Sequence, residues 1–488
     1  MGIVIRQSIR NTIITYAGFV IGAANALFFY TNFLGKTFYG LTAFLLSAGN
    51  ILMPLMAFGV HNTLVKFYSG YKTKEERGEF LTYMLVLPLM LIIPVSLIVW
   101  LGYDDIAALL SKKNPIIYNY VWLIPIIGLC MGYFEIFYAW VKVHFQSVAG
   151  NFLKEIFLRV VVMLFLFLVY FKVITVVQFV YLTVGIYFLS ALMMALYAFS
   201  VEMPALRWKV PVNKRSILSY SVFIILSGSV AVLLLDIDKL MLGLYIQIEN
   251  VAYYSVAIFI ATVVAVPSRA MHQIVYPITA KLMSENKHDE LNTLYKKTSI
   301  SLQLVGGYVL LGILVNIKSV YELLPPDYAG GIFVVFMIGI SKYFDLILGN
   351  NNSIIFNSKY YKAVLFLGLL LALMAISLNM ILIPLYGING AAIATLLAIG
   401  LYSLSKLLFV VKKMDLYPFS NKTVQLLGIS VVGFLLFYFW NLGIHPIIDI
   451  IFKSVLLSIY YGIVSYKFQI LPEANAILDN ILSKVRTP

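Results

Sequence analysis

The chain repeats one pattern along its length: about twenty apolar residues, a short polar break, then another apolar stretch, some fourteen times. A helix of about twenty residues spans the roughly 30 Å hydrocarbon core of a bilayer, because each residue advances about 1.5 Å. Charged residues make up only 11% of the chain, whereas soluble domains contain about a quarter. The pattern therefore predicts an all-α, multi-pass membrane protein.

We predict fourteen membrane-spanning segments. The first follows Arg6 and Arg10, as a signal peptide would, but it is too long for the apolar region of a signal peptide and contains polar Asn25. We therefore interpret it as a retained helix. The predicted spans lie at 12–30, 38–60, 81–101, 118–140, 152–171, 174–199, 217–246, 251–275, 299–317, 330–349, 363–383, 388–410, 423–441 and 446–467.

Lys and Arg residues collect on one side of the predicted membrane. Counted with the adjoining ends of the helices, 26 of the 35 lie on the side of the N terminus and five on the opposite side, with four inside the spans. Cytoplasmic loops of membrane proteins carry an excess of Lys and Arg. We therefore expect both termini to face the cytoplasm, and the regular alternation supports fourteen helices.

The chain also contains a weak internal repeat. A shift of 213 residues places the first six spans over the seventh to the twelfth, and Pro54 then coincides with Pro267. Because six crossings return the chain to the same side, the halves would be related by a pseudo-two-fold axis along the membrane normal. We predict an N-lobe at 1–213, a C-lobe at 214–422, and a C-terminal helix pair with a cytoplasmic tail at 423–488.

Several classes of function are not supported by this sequence. The net charge of +14 is spread over loops rather than concentrated in a basic domain, which argues against a nucleic-acid partner. The single cysteine, Cys130, lies in an apolar stretch, and the five histidines show no metal-ligand spacing. The Gly-Lys-Thr at 35–37 lacks the first glycine of a phosphate-binding loop, because Tyr30 holds that position. We expect no ATP use, no metal, no cofactor and no catalytic residues.

Ionisable side chains within the spans are the candidates for function, since each costs about 2.5–3.5 kcal/mol at the centre of a bilayer. Asp236, Asp238 and Lys239 lie toward the outer end of the seventh span. Asp236 and Lys239 are three residues apart and can pair on one helix face. Either this is a structural ion pair, with Asp238 reaching the outer water, or Asp236 or Asp238 is a site for H⁺ or Na⁺.

Two further cations lie within later spans. Lys342 is about 18 Å along its helix from Gly330 and three residues before Asp345. The alternatives for Lys342 are a self-contained ion pair with Asp345 or a cation that faces a cleft and holds a phosphate. Arg269 in the eighth span offers a planar fork of donors suited to phosphate. Its alternative is contact with the inner lipid headgroups.

Charges also lie near the cytoplasmic ends of the fourth and fifth spans. Glu135 and Lys142 are seven residues apart on one helix face, and Glu155 and Arg159 form an i, i+4 pair. Both sets fit structural ion pairs. Glu135 is also a candidate carboxylate for ion coupling.

Two segments carry a family resemblance. The turn between the eleventh and twelfth spans reads Leu-Ile-Pro-Leu-Tyr-Gly-Ile-Asn-Gly-Ala-Ala-Ile-Ala-Thr at 382–395. The seventh and eighth spans contain Asp-Ile-Asp-Lys-Leu-Met-Leu-Gly at 236–243 and Val-Ala-Tyr-Tyr-Ser-Val-Ala at 251–257. Both segments resemble Wzx-type polysaccharide flippases of the multidrug/oligosaccharidyl-lipid/polysaccharide exporter superfamily. The six-plus-six-plus-two layout extends the resemblance over nearly the whole chain.

The resemblance implies a transporter that moves a polyprenyl-diphosphate-linked oligosaccharide from the inner to the outer leaflet of the bacterial cytoplasmic membrane by alternating access. It would serve the biosynthesis of a cell-surface polysaccharide such as lipopolysaccharide, among membrane lipids and beside the polysaccharide polymerase machinery. Arg269 and Lys342 are then the candidate ligands of the diphosphate. Asp236, Asp238 and Glu135 are the candidate sites of H⁺ or Na⁺ coupling.

Three alternatives remain. A lipid II flippase of the MurJ type would carry an arginine within the first helix, and residues 11–30 contain none. A drug or cation antiporter of the MATE type usually has twelve helices and an acidic cavity. A membrane enzyme that acts on lipid-linked sugars would carry a sizeable outer loop with catalytic residues. The longest predicted outer breaks, 102–117 and 318–329, are short and contain no such set.

Overall fold

Helices form the described part of the chain. The computed structural model describes residues 2–205, 209–472, 475, 476 and 479, which form α-, 3₁₀- and π-helices joined by short connections, with no strand among them. Ten of the described helical segments are long and apolar enough to cross a membrane. The prediction of an all-α, multi-pass membrane protein is confirmed.

Contacts divide the chain into two compact units. The first unit contains Met1–Ser255 and Ile376–Ala391, and the second contains Val256–Ala375 and Ala392–Pro488. The predicted lobes rest on the internal repeat in the sequence, and their division at 213/214 stays a prediction.

The first unit is built from eleven helices and the start of a twelfth. These are α1 (Gly2–Ala24), α2 (Lys36–Met56), α3 (Val60–Phe67), α4 (Lys74–Val86), α5 (Leu89–Leu101), α6 (Tyr103–Ser111), α7 (Leu123–Val143), α8 (Ser147–Phe152), α9 (Leu158–Tyr170), α10 (Val176–Val201), α11 (Lys214–Tyr245) and α12 (Glu249–Thr262). A π-helix, Asn25–Leu34, continues α1, and a second, Leu153–Phe157, joins α8 to α9.

The second unit contains the remaining helices. These are α13 (Val266–Ser284), α14 (His288–Glu322), α15 (Ile332–Leu346), α16 (Asn351–Phe356), α17 (Tyr361–Met414), α18 (Asn421–Phe437) and α19 (Pro446–Lys467). Residues 376–391 of α17 group with the first unit. The helix is interrupted there at Gly387, whose φ of 58° and ψ of −133° suit a residue without a Cβ atom. This break coincides with the turn predicted between the eleventh and twelfth spans.

Each of the fourteen predicted spans overlaps a helical segment, because α17 supplies both the eleventh and the twelfth. One segment is short, however. α18, at the thirteenth span, contains 17 residues, fewer than the roughly twenty that cross a bilayer without tilt or added turns. The number of helices that cross the membrane therefore stays a prediction.

Small residues allow close helix packing within the first unit. A Cβ atom on Gly49 of α2 would overlap the side chain of Ile127 on α7, and one on Gly128 would lie 3.1 Å from the carbonyl oxygen of Gly49. Glycine at such contacts lets membrane helices approach closely enough for extensive van der Waals packing. The α2–α7 contact is part of the scaffold that carries the charged residues of this unit.

Candidate functional site

Four helices bring five polar side chains together in the second unit. Lys406 of α17 donates hydrogen bonds to Oδ1 of Asp345 on α15 at 2.8 Å and to Oδ1 of Asn352 on α16 at 3.1 Å. Lys342 and His272 line the same cavity, whose volume of about 30 Å³ suffices for a water molecule. We call these five residues the Lys406 cluster.

The buried member of this cluster is Lys406. It is 1% exposed and lies about 12 Å along the helix axis from the end of α17 at Met414. A buried ammonium needs compensation, which Asp345 provides through a charge-assisted hydrogen bond. The ring of Tyr402 adds a cation–π contact, with its centroid 4.3 Å from Nζ. The Asp345 side chain, in contrast, keeps 47% of its surface accessible.

A break between α15 and α16 positions the oxygen ligands of Lys406. α15 ends at Leu346, and Gly349 adopts a φ of +57°, a left-handed conformation that costs glycine little. The chain can then turn, so that Asp345 before the break and Asn352 after it both reach Lys406. Irregular backbone at membrane depth is tolerated where it is enclosed by protein or lines a cavity.

The structure places Lys342 in this cluster and Arg269 outside it. Lys342 interacts electrostatically with Asp345, which agrees with the predicted pairing, although Asp345 also bonds to Lys406. Arg269 is exposed on α13 and follows Ser268, which lines the cavity. The roles of Lys342 and Arg269 as diphosphate ligands stay predictions.

Lys406 is not among the candidates predicted from the sequence. It lies inside the predicted span 388–410, which is a signal of function, but also only a few residues before the basic segment that follows this span. Its partner Asp345 lies 61 positions earlier in the chain, so only the packing of α15 against α17 reveals the pair.

The first unit contains the predicted pair of Asp236 and Lys239. Nζ of Lys239 lies 3.1 Å from Oδ1 of Asp236, which confirms the i, i+3 pairing. Asp236 also accepts hydrogen bonds from Ser47 at 2.8 Å and from Asn50 at 2.6 Å, both on α2. The carboxylate is therefore bound by two neutral donors and one cation.

Asp238 does not reach the outer water, so the structural alternative was wrong on this point. Its side chain is buried, with 2% of the residue exposed. It accepts hydrogen bonds from the hydroxyl of Tyr254 at 2.5 Å and from Nδ2 of Asn379 at 2.7 Å. Sequence spacing could not show this, because Asn379 comes from the distant segment of α17 that groups with the first unit.

Glu135 of α7 pairs with a lysine from another helical segment. Its Oε1 lies 2.5 Å from Nζ of Lys154, and the charge of Lys142 on its own helix also acts on it. Lys142 additionally lies 3.7 Å from the ring centroid of Tyr138. On the neighbouring α3, burial lowers the pKa of His61, and the charge of Glu135 partly opposes that shift. The coupling roles of Glu135, Asp236 and Asp238 stay predictions.

The predicted pair of Glu155 and Arg159 is confirmed, with Nη1 of Arg159 2.5 Å from Oε2 of Glu155. Glu155 belongs to the π-helix between α8 and α9. The carbonyl oxygen of Arg159 accepts a hydrogen bond from Asn25 at 2.8 Å. A Cβ atom on Gly18 would overlap the backbone carbonyl oxygen of Glu155, so a glycine is needed there for α1 to approach the π-helix.

Solved structures that share this fold include a flippase and a multidrug resistance transporter. A structure titled "Lipid II flippase MurJ, inward closed conformation" matches with a TM-score of 0.73 and 15% identity, over 95% of this chain and 100% of that chain. An inward-facing multidrug resistance transporter of the MATE family, in the MOP superfamily, matches with a TM-score of 0.60 and 15% identity, over 83% of this chain and 98% of that chain. At such identity the likeness establishes the fold.

The family follows from the sequence itself. No curated protein matches the chain. The family model described as "Polysaccharide biosynthesis protein" matches residues 8–283, which is more than half of the 488 residues. This match confirms the resemblance to a family of polysaccharide biosynthesis proteins. The chain is a multi-pass membrane protein and belongs to the polysaccharide biosynthesis protein family.

Proposed function

We propose that this protein is a flippase, which moves a polyprenyl-diphosphate-linked oligosaccharide from the inner to the outer leaflet of the bacterial cytoplasmic membrane by alternating access. It would deliver building blocks for a cell-surface polysaccharide, with both termini in the cytoplasm. The family description and the likeness to a structure titled as a lipid II flippase support a lipid-linked substrate. The polysaccharide polymerase machinery is the proposed downstream partner.

The observation that carries the proposal is the excess of positive charge in the Lys406 cluster. Lys342 and Lys406 share the single carboxylate of Asp345. The obstacle to flipping such a lipid is its charged diphosphate and hydrated sugar, which lose water on entering the membrane. An ammonium group is a suitable partner for phosphate. Lys342 and Arg269 are the proposed diphosphate ligands, while the isoprenoid tail stays in lipid.

The proposed energy source is an ion gradient rather than ATP. Asp236, Asp238 and Glu135 are the proposed sites of H⁺ or Na⁺ coupling, because ionisable residues within membrane helices commonly mark ion pathways. The protein would move its substrate unchanged and carry out no catalysis.

Transport by the purified protein tests this proposal. Liposomes would contain the protein and a polyprenyl-diphosphate oligosaccharide, and the measurement is the rate at which the sugar becomes accessible across the bilayer, with and without an H⁺ or Na⁺ gradient. We expect protein-dependent crossing. Transport of an organic cation without crossing of the lipid-linked sugar would establish the antiporter alternative. Chemical alteration of the sugar by the protein would establish the enzyme alternative.

Substitutions in the same assay test the individual roles. Lys342→Ala and Arg269→Ala should each abolish transport without loss of folded protein. The control is Lys281→Ala near the end of α13, where the lysine side chain is 73% accessible. Normal transport by both variants would exclude the diphosphate roles. The variants Asp236→Asn, Asp238→Asn and Glu135→Gln test the coupling roles. If transport by all three still depends on the ion gradient, these roles are excluded.

A further inference from the structure

We propose that Asp345 is an internal stand-in for the substrate phosphate: it occupies Lys406 in the unloaded protein and is displaced when a lipid diphosphate binds. The inference rests on the proposed function and concerns how the same site is loaded and emptied.

The first support is the unequal burial of the two partners. Lys406 is almost completely buried, whereas nearly half of the Asp345 side chain is accessible. Both residues line the same cavity. An anion that approaches the cavity therefore meets the carboxylate as the accessible partner, and displacing that carboxylate is its route to the ammonium.

The second support is the position of Asp345 on its helix. It is the residue before the last in α15, which ends at Leu346. The C-terminal end of a helix carries partial negative charge, so an acidic residue there is electrostatically unfavourable. Lys342, one turn earlier, is favoured by the same field. The ion pair with Lys406 and the charge of Lys342 thus hold Asp345 in place, and both interactions weaken when another anion engages the two lysines.

The third support is the chemistry of the exchange. Carboxylate and phosphate oxygens both accept charge-assisted hydrogen bonds from an ammonium group. A diphosphate carries more negative charge than one carboxylate, and it can contact Lys342 and Lys406 together once Asp345 has left. The returning carboxylate would then compete with the diphosphate and promote its release. Asn352, whose Oδ1 lies 3.1 Å from Nζ of Lys406, keeps the ammonium in position during the exchange.

Two substitutions with opposite expected effects test the inference. Asp345→Asn removes the competing charge but keeps an oxygen acceptor, so it should tighten diphosphate binding about tenfold. Asn352→Asp places a second carboxylate on Lys406 and should weaken binding by about the same factor. Asn352→Asp adds an ion pair to buried Lys406, so we expect this variant to fold. It therefore tests the inference even if Asp345→Asn does not fold.

The measurement is the dissociation constant of farnesyl diphosphate for the full-length protein in phosphatidylcholine nanodiscs. Farnesol controls for the tail, and Asp289→Asn, at an exposed position in the first turn of α14, controls for the change in net charge. In the Asp345→Asn background, Lys406→Gln should remove the gain in affinity. Phosphatidylglycerol added to the discs should not compete.

Four outcomes overturn the inference. They are unchanged or weaker binding by Asp345→Asn, unchanged or tighter binding by Asn352→Asp, equal binding of farnesol, and equal competition by phosphatidylglycerol. If the wild-type protein still transports lipid-linked oligosaccharide in liposomes, any of these outcomes excludes the stand-in role but leaves the proposed function intact. If the wild-type protein shows neither binding nor transport, both the stand-in role and the proposed function are wrong.

Discussion

The ammonium of Lys406 and the carboxylate of Asp345 lie 2.8 Å apart, with the lysine side chain 2% accessible and the aspartate side chain 47% accessible. A buried charge that loses its partner is strongly destabilising, whereas an accessible carboxylate can be solvated instead. The two members of this ion pair should therefore differ in what their removal costs the protein.

Asp345→Ala should lower the free energy of unfolding by about 3–5 kcal/mol, because it leaves the buried ammonium of Lys406 without its counter-charge. Lys406→Met should cost clearly less, since Asp345 remains accessible and near Lys342. Thermal unfolding in one detergent, compared between the two variants and the wild type, measures the difference. Equal losses would contradict the assignment of Lys406 as the buried partner.

Tyr254→Phe should lower the free energy of unfolding by about 1.5–3 kcal/mol, because it removes a hydrogen bond to a charged group. The hydroxyl of Tyr254 donates to buried Asp238, and the tyrosine itself is completely buried. Tyr386→Phe is the control, since Tyr386 is 59% exposed and should tolerate the change. A stability loss no larger than that of the control would show that other donors satisfy Asp238.

Gly40→Ala should reduce the yield of folded protein, because the added Cβ atom would overlap the carbonyl oxygen of Ile248. A backbone atom cannot move aside as a flexible side chain does, so α2 must shift. Gly428→Ala on α18 is the matched control, because its Cβ atom would meet nothing within 4 Å. Alanine favours a helix by about 1 kcal/mol over glycine, so the control should be neutral or stabilising. Size-exclusion profiles and melting temperatures provide the comparison.

The stability of the protein should fall in acid partly through His61. Burial lowers the pKa of His61, so the folded state favours the neutral imidazole. The unfolded chain, with a histidine pKa of about 6.5, takes up a proton earlier as the pH falls. The stabilising contribution is therefore present above about pH 6.5 and is lost as the pH drops toward the folded-state pKa. His61→Gln should flatten the pH dependence of the melting temperature, and an unchanged profile would argue against this role.

Local patterns in the sequence were sufficient for the helical architecture and for the short-range ion pairs. Residues three or four apart on a helix are neighbours whatever the rest of the fold does, which is why the pairs Asp236–Lys239 and Glu155–Arg159 are confirmed. The spacing of Lys342 and Asp345 likewise predicted that the two side chains interact. It did not reveal Lys406, the buried partner of Asp345.

Other features required long-range packing. One of the two alternatives from the sequence placed Asp238 in the outer water, but donors from α12 and α17 enclose it. Arg269 has a suitable side chain for phosphate, yet it lies exposed beside the Lys406 cluster rather than in it. Hydrophobic spans are interchangeable in composition, so their order along the chain does not reveal which faces of which helices meet.

The sequence by itself determined that this chain is a helical membrane protein, because a bilayer accepts only segments that satisfy their own backbone hydrogen bonds, and about twenty apolar residues in a helix do so. The motifs and the match over residues 8–283 determined its family. Only the tertiary structure decided which charges share a site. Lys406 and Asp345 are 61 positions apart, and no local periodicity relates them. Their pairing arises because the break after α15 and the packing of α17 bring a buried ammonium and an accessible carboxylate to one cavity.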